Sequence, residues 1–360
     1  MDDRAHPSPS GASLSGVSCT SESACTAVGD YYNGPAGVSA YTEAHIHGTL
    51  VETWNGRRWA TVPTPNPSGA DNFFSGVSCT SATTCTAVGS GHGGTLVEAW
   101  NGARWAIEHT PNPTGAQKII SALSGVSYTS ATVCTAVGSG PSGTLAEAWS
   151  GATFAIEHTP NPSGSGNDSL LGVSCTSAAA CTAVGSEGTA FGADVTLVEA
   201  WNGTTWTIEP SLNPTASRGS SLSEVSCTLA TSCSAVASYT TRGGEEVTLA
   251  EAWNGTTWGI EPTANPSGVR DSHLSAVSCT SATACAAVGY LNGGGNDQTL
   301  AEAWNGTAWA IEPTPNPNGN GDLHGVSCTS ASACVAVGMS GLLNYGDTNL
   351  TLAEAWNGTT

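Results

Sequence analysis

Apolar and polar positions alternate along this chain in short runs, and the same order of runs returns every ~50 residues. Residues 274–317 show one copy: LSAVSCTSATACAAVGYLNGGGNDQTLAEAWNGTAWAIEPTPNP. A Gly/Ala-Val-Ser-Cys alternation is followed by five small polar residues and then Cys-Thr-Ala-Val-Gly or a close variant. After a loop of variable length come Thr-Leu-Val/Ala-Glu-Ala-Trp, Asn-Gly-x-x-Trp, x-Ile-Glu and a Pro-Asn-Pro linker. The first cysteine position falls at Cys19, Cys79, Tyr128 (substituted), Cys175, Cys227, Cys279 and Cys328, giving seven copies. Each copy predicts four short strands, A to D. No stretch keeps a 3.6-residue apolar period for ten residues, so helices are not expected. The Ala-rich run Leu300 to Trp304 is too short, and Asn305-Gly306 after it is a hairpin signal.

The C–D hairpin has two admissible registers. A two-residue loop sets Trp309 opposite Glu302; a four-residue loop, Asn305 to Ala308, sets it opposite Trp304. Both put Leu300, Glu302, Trp304, Trp309 and Ile311 on one face and Ala301, Ala303 and Ala310 on the other. One bulky and one small face suit sheets stacked on both sides. Four antiparallel strands followed by a Pro-rich step to the next copy predict an all-β fold. The expected form is a single seven-bladed β-propeller with blades near 12–69, 70–118, 119–166, 167–218, 219–269, 270–319 and 320–360. A solenoid is the alternative, although its end copies should be polar caps, and here they look like the middle ones. The last copy stops at Thr360 in its C–D turn, so its outer strand is lacking or borrowed. MDDRAHPSPSG at the N-terminus has the length of a strand D plus linker, but Asp2 and Asp3 make Met1 to Ala5 a poor strand. Weak closure of the ring and a piece of a longer array both remain open.

The order A-V-G, variable loop, E-A-W-N-G-x-x-W, I-E-P-T-P resembles the kelch repeat in all seven copies. It departs where kelch has a double glycine: Gly29-Asp30, Gly89-Ser90, Ala237-Ser238 and Gly289-Tyr290 stand there. Asn-Gly-Thr-Thr-Trp is also similar to the Asp-box turn of sialidase-type propellers, with Trp201 in place of the Asp. The pattern as a whole resembles secreted Cys-rich repeat proteins of actinobacteria. These resemblances imply a propeller and carry no activity by themselves.

Charge narrows the partners. Formal net charge is −20, with 28 acidic residues against 8 basic, and Lys118 is the only lysine. Part of the acidity belongs to the repeat, through Glu52, Glu98, Glu147, Glu199, Glu251, Glu302 and Glu354 and the Ile-Glu pairs. Nucleic acid and anionic membrane surfaces are disfavoured, because both need clustered Lys and Arg. No run of ~18 apolar residues predicts a membrane span, and the N-terminus lacks the apolar core of a signal peptide. The chain is therefore intracellular or has lost a leader.

The cysteines favour export. Six Cys-x5-Cys pairs are expected to bridge the two strands of each A–B hairpin: Cys19 with Cys25, Cys79 with Cys85, Cys175 with Cys181, Cys227 with Cys233, Cys279 with Cys285, and Cys328 with Cys334. Cys134, facing Tyr128, is left as a free, buried thiol. Zinc would want closer spacing and further ligands; reduced, buried cysteines are the other alternative. Disulfides imply an extracellular or cell-surface location.

Strand order places A–B and C–D turns at one end of the ring and B–C loops and D–A linkers at the other. The first end carries the repeated residues and the second the length variation, so binding is expected at the B–C/D–A end. Its longest loop, 30–48, holds Tyr31, Tyr32 and Tyr41, which could stack on sugar rings or a partner. The same loop holds Glu43, His45 and His47, a possible metal set. Arg270, Asp271 and His273 form the densest other group. Acidic loops could take Ca²⁺, but no cofactor is required. No Ser-His-Asp set assembles from the sequence, and seven-fold recurrence makes the repeated Glu and the Ser before each Cys structural. Asn202, Asn254 and Asn305 head Asn-Gly-Thr sequons better explained as turns. The expectation is a monomeric, non-enzymatic binding or scaffold protein for a carbohydrate or protein surface. Alternatives are a propeller enzyme acting on extracellular glycans and a purely structural cell-surface module. A sialidase is disfavoured, since only seven Arg exist and Arg57, Arg58 and Arg104 sit in C–D turns; a kelch-type copper oxidase lacks its Tyr/His/Cys cluster.

Overall fold

The computed structural model describes residues 11–32, 47–67, 71–91, 93–113, 121–162, 167–189, 193–215, 217–266, 268–341 and 349–358. The chain runs through β1 (Ala12–Ser21), β2 (Ala24–Tyr32), β3 (His47–Trp54), β4 (Trp59–Thr61), β5 (Phe73–Ser81), β6 (Thr84–Gly91), β7 (Gly94–Trp100) and β8 (Trp105–Ile107). It continues with β9 (Ala122–Ser130), β10 (Val133–Gly140), β11 (Gly143–Trp149), β12 (Phe154–Glu157), β13 (Ser169–Ser177), β14 (Ala180–Gly188), β15 (Asp194–Trp201) and β16 (Trp206–Glu209). Then follow β17 (Gly219–Leu229), β18 (Ser232–Thr240), β19 (Glu246–Trp253), β20 (Trp258–Glu261), β21 (Asp271–Ser281), β22 (Ala284–Asn292), β23 (Asp297–Trp304) and β24 (Trp309–Glu312). The last strands are β25 (Gly321–Ser330), β26 (Ala333–Ser340) and β27 (Leu350–Trp356). The one helical turn among the described residues is the 3-10 segment Pro317–Gly319.

Consecutive strands pair antiparallel in fours, with three in the last unit. The fifth and sixth units share one sheet through a single parallel pair, Glu246 with Asp271. Among the described residues there are thus seven antiparallel units, each beginning at strand A. Trp304 pairs with Trp309, so the C–D loop is the four-residue one. The Asn305 side chain decides it: Oδ1 accepts the backbone N–H groups of Thr307 at 3.0 Å and Ala308 at 3.1 Å, closing a turn around the asparagine.

The units pack bulky face to small face. Leu222, Val225, Leu249 and Trp258 of the fifth unit meet Val184 and Val198 of the fourth. Leu14, Val17 and Leu50 of the first meet Val337 of the last. Each buried leucine contributes about 1.5–3 kcal/mol. The ring also closes by hydrogen bonds between inner strands. The backbone N–H of Cys79 donates to Ser18 Oγ, Tyr128 to Ser78, Cys175 to Ser127, Cys227 to Ser174, Cys279 to Ser226 and Cys328 to Ser278. Cys19 donates to Ser327, which returns to the start. Beside this circuit Gly16, Gly76, Gly125, Gly172 and Gly325 let neighbouring inner strands touch; a Cβ on Gly325 would sit 3.0 Å from Gly16 Cα.

All six expected disulfides are present, each joining directly paired residues of strands A and B. Cys134 is free and buried, its thiol pushed up to about 12 by burial. Tyr128 fills the space of the missing bridge and shares a 2.7 Å hydroxyl contact with Thr86 Oγ1. The repeated Glu is buried between units. Glu251 accepts Leu212 N–H at 3.3 Å and Glu302 accepts Ala264 N–H at 3.2 Å, both from the linker of the preceding unit. Burial pushes Glu98, Glu147, Glu199 and Glu354 up to about 8 and Glu251 and Glu302 to about 7.

Two outcomes follow from this packing. Tyr128→Cys places a cysteine in register with Cys134. A seventh bridge is expected to add about 2 kcal/mol against about 1 kcal/mol for the lost Tyr128 hydroxyl contact. Thiol titration should fall to zero, and two free thiols would sink the idea. For pH, carboxyls raised in the folded state bind protons that the unfolded chain has released. Their contribution is complete below about 4.5 and is lost as pH rises through about 7 to 8. Urea midpoints are expected to decline from pH 5 to pH 8, and a rise across that window would contradict the assignment.

Candidate functional site

The two ends of the ring differ in what their side chains do. At the A–B/C–D end the indole N–H of five strand-C Trp residues donates to the neighbouring A–B turn carbonyl: Trp54 to Glu22, Trp100 to Ala82, Trp201 to Ala178, Trp253 to Ala230 and Trp304 to Ala282. These contacts recur from unit to unit and lock the turns. Grooves of about 330 and 250 Å³ are lined in part by the same repeated tryptophans, including Trp201, Trp206 and Trp253.

The opposite end also has a repeated strap. The strand-C Thr N–H donates to the linker Asn Oδ1, as in Thr49 to Asn66, Thr144 to Asn161 and Thr299 to Asn316. What does not repeat is polar chemistry near the axis. Three of the expected site residues, Tyr41, Glu43 and His45, lie outside the described residues. Tyr31 and Tyr32 are not loop residues: they end β2, paired with Gly48 and His47. Tyr32 is only 9% exposed, and the Tyr31 ring covers Gly48. Neither stands free as a loop tyrosine would. His47 opens β3, with Nδ1 2.9 Å from Asp30 Oδ2 and its backbone N–H on Asp71 Oδ1 at 2.8 Å. Its ring lies 4.9 Å from that of Phe73. Burial raises Asp30, and His47 opposes that shift.

Asp271 and His273 likewise belong to a strand, β21, rather than to a loop, while Arg270 is exposed just before it. Asp271 Oδ1 accepts the Glu246 N–H at 3.4 Å, and the Arg270 N–H donates to Asn292 O at 2.9 Å. His273 crosses to the fifth unit. Its Nδ1 is 2.8 Å from Ser238 Oγ and 3.2 Å from Glu246 Oε1, and its Nε2 is 3.4 Å from Ser223 Oγ. Its ring stacks on Tyr290 at 5.5 Å. Ser238 Oγ also donates to Glu246 Oε1. Glu246 is lowered, chiefly by its hydrogen bond to His273. Burial pushes Tyr290 up to about 12.

Two further residues belong to this region: Glu224, which the sequence reading missed, and His324, which it counted among scattered loop polar groups. Glu224 occupies the inner-strand position held elsewhere by Gly16, Gly76, Gly125, Gly172, Ala276 and Gly325. Enclosure among the inner strands pushes it up to about 8. His324 replaces the bulge residue that is Ser15, Ser75, Ser124, Leu171, Ser223 or Ser275 in other units. Its Nδ1 meets Leu14 O at 3.2 Å, and burial lowers its pKa, with His273 pushing the same way and Asp30 opposing. The missed signal was departure from the repeat at fixed positions. No group of three or more His, Cys, Asp or Glu placed to hold a metal ion occurs among the described residues.

No family model matches the chain, and no curated protein matches it in sequence. Solved structures do resemble it in fold. They include YCF48 bound to D1 peptide, at 12% identity and TM-score 0.55, covering 98% of this chain and 94% of that one. The WD40 repeats of RRP9 match at 12% identity and TM-score 0.59, covering 98% and 96%. A PL25 ulvan lyase bound to -[GlcA(1-4)Rha3S]- matches at 9% identity and TM-score 0.59, covering 94% and 91%. At these identities the likeness shows a β-propeller fold and nothing of activity.

Proposed function

We propose that this chain is a seven-bladed, kelch-like propeller that works outside the cell as a monomeric binding or scaffold protein. It recognises a carbohydrate or a protein surface through its B–C/D–A end and requires no cofactor. The observation that carries the reading is the segregation of chemistry: repeated residues lock one end, while the unrepeated polar groups Asp30, His47, Glu246, His273, Tyr290 and His324 gather at the other. Function on a rigid scaffold sits where the scaffold is not using its side chains. Six disulfides support export, and no helix among the described residues is long and apolar enough to cross a membrane. The comparison structures include one bound to a peptide and one to a saccharide, which supports either ligand class on this architecture. The actinobacterial resemblance of the Cys-rich repeat agrees with export.

Glycan arrays and crosslinking to intact cell surfaces with the oxidised protein test the reading. Captured ligand should be lost in Tyr290→Ala and kept in Arg104→Ala, which lies in a C–D turn. Loss in Arg104→Ala with capture kept in Tyr290→Ala would move the site to the other end. No capture by either route would favour a purely structural module.

A further inference from the structure

We propose that Ser223, His273 and Glu246 form a nucleophile–base–acid relay that hydrolyses carboxylic esters, such as acyl groups carried on a sugar hydroxyl. Ser223 and Glu246 lie on opposite nitrogens of one imidazole: Ser223 Oγ is 3.4 Å from Nε2 and Glu246 Oε1 is 3.2 Å from Nδ1. The proton positions follow from donor arithmetic. Ser238 gives its hydroxyl proton to Glu246 Oε1, since a carboxylate can only accept. Its oxygen, 2.8 Å from Nδ1, can then only accept from His273. Nδ1 carries the hydrogen, and Nε2 presents its lone pair to Ser223. That is the tautomer a general base needs, with the acid group behind the ring.

Access and context agree. The His273 and Glu246 side chains are 24% and 33% exposed, so a substrate can reach them from the ring mouth. Ser223 sits at the bulge between the Leu222–Ala237 and Glu224–Val236 pairs, outside the β17–β18 register. Serines occupy the same bulge at Ser15, Ser75, Ser124 and Ser275, which is why the serine alone says nothing. The unrepeated element is the histidine: the equivalent positions are Ser13, Phe73, Ala122, Ser169, Ser221 and Asp322.

The step balances without a co-reactant other than water. Ser223 Oγ bonds to the ester carbonyl carbon while its proton passes to Nε2, and Glu246 stabilises the imidazolium through Nδ1. Collapse of the tetrahedral adduct breaks the carbon–alkoxy bond, and the leaving oxygen takes the proton from Nε2 to depart as the alcohol. Water then adds to the acyl group, delivering one proton to Nε2. That proton returns to Ser223 Oγ as the carboxylic acid leaves.

The test is covalent capture of the full-length oxidised protein by a fluorophosphonate probe, with peptide mapping, and hydrolysis of 4-nitrophenyl acetate in parallel. The probe is expected on Ser223. Labelling should vanish in Ser223→Ala, fall about 10²–10⁴-fold in His273→Gln, and stay unchanged in Ser275→Ala, the same bulge in the next unit. Disulfide mapping of each variant verifies folding. Absence of label on Ser223 in the folded wild type overturns the proposal, as does labelling indifferent to His273→Gln, which would mark a merely exposed hydroxyl. Ligand capture by a protein that is never labelled would retain the binding reading and remove only this one, so the two fail separately.

Discussion

The closest constraint on this molecule is the approach of neighbouring inner strands. One backbone N–H per unit donates to a serine hydroxyl of the unit beside it, and the bond from Cys19 to Ser327 completes the circuit. A hydrogen bond of this kind contributes about 1 kcal/mol, so the circuit does not hold the fold by strength. It sets geometry. Glycines such as Gly16 and Gly76 must bring strands within van der Waals contact for the serine to reach, and that spacing brings the bulky face of one unit onto the small face of the last.

With the spacing set, the other repeated residues find their roles. The cysteines bridge the two inner strands, so the A–B hairpin carrying the circuit cannot splay. The strand-C Thr and linker Asn tie each outer strand to the step into the next unit, as in Thr248 and Asn265 at 3.0 Å. The buried Glu meets the preceding linker, as Glu302 does at Ala264. A carboxylate in such a place is costly unless protonated or hydrogen-bonded. Burial is the leading cause of the raised pKa of Glu98, Glu302 and Glu354.

Much of this was legible in the sequence, because each repeated feature is local or recurs. Strand order, the six bridges and the shared face of Leu300, Glu302 and Trp304 follow from spacing and alternation. The C–D register was not legible, since both loops satisfy alternation, and the Asn305 side chain selects between them. The ends of the variable segments were misjudged for a different reason. Tyr31, Tyr32, Asp271 and His273 read as loop because they break the repeat, yet each lies in a strand whose pairing continues past the consensus. The His273 cluster was invisible because its members come from different units, 27 to 50 residues apart in sequence. Only the inter-unit packing joins them.

Repetition then becomes a means of weighing side chains. A residue present in every unit serves the ring, and its cost is offset by the packing it completes. Glu224 recurs in no other unit, and its carboxyl accepts the N–H of its neighbour Val225 at 3.1 Å. It stands where Gly172 and its equivalents allow strand contact, a Cβ on Gly172 would lie 2.7 Å from Glu224 Cα, and its carboxyl is pushed up to about 8. His273 and His324 likewise depart from the repeat in the next two units, with Asp322 the other ionisable residue at the His273 position. These three departures fall in consecutive units, and their contacts, such as His324 with Leu14 O and His273 with Ser238, are made by side chains the repeat does not supply.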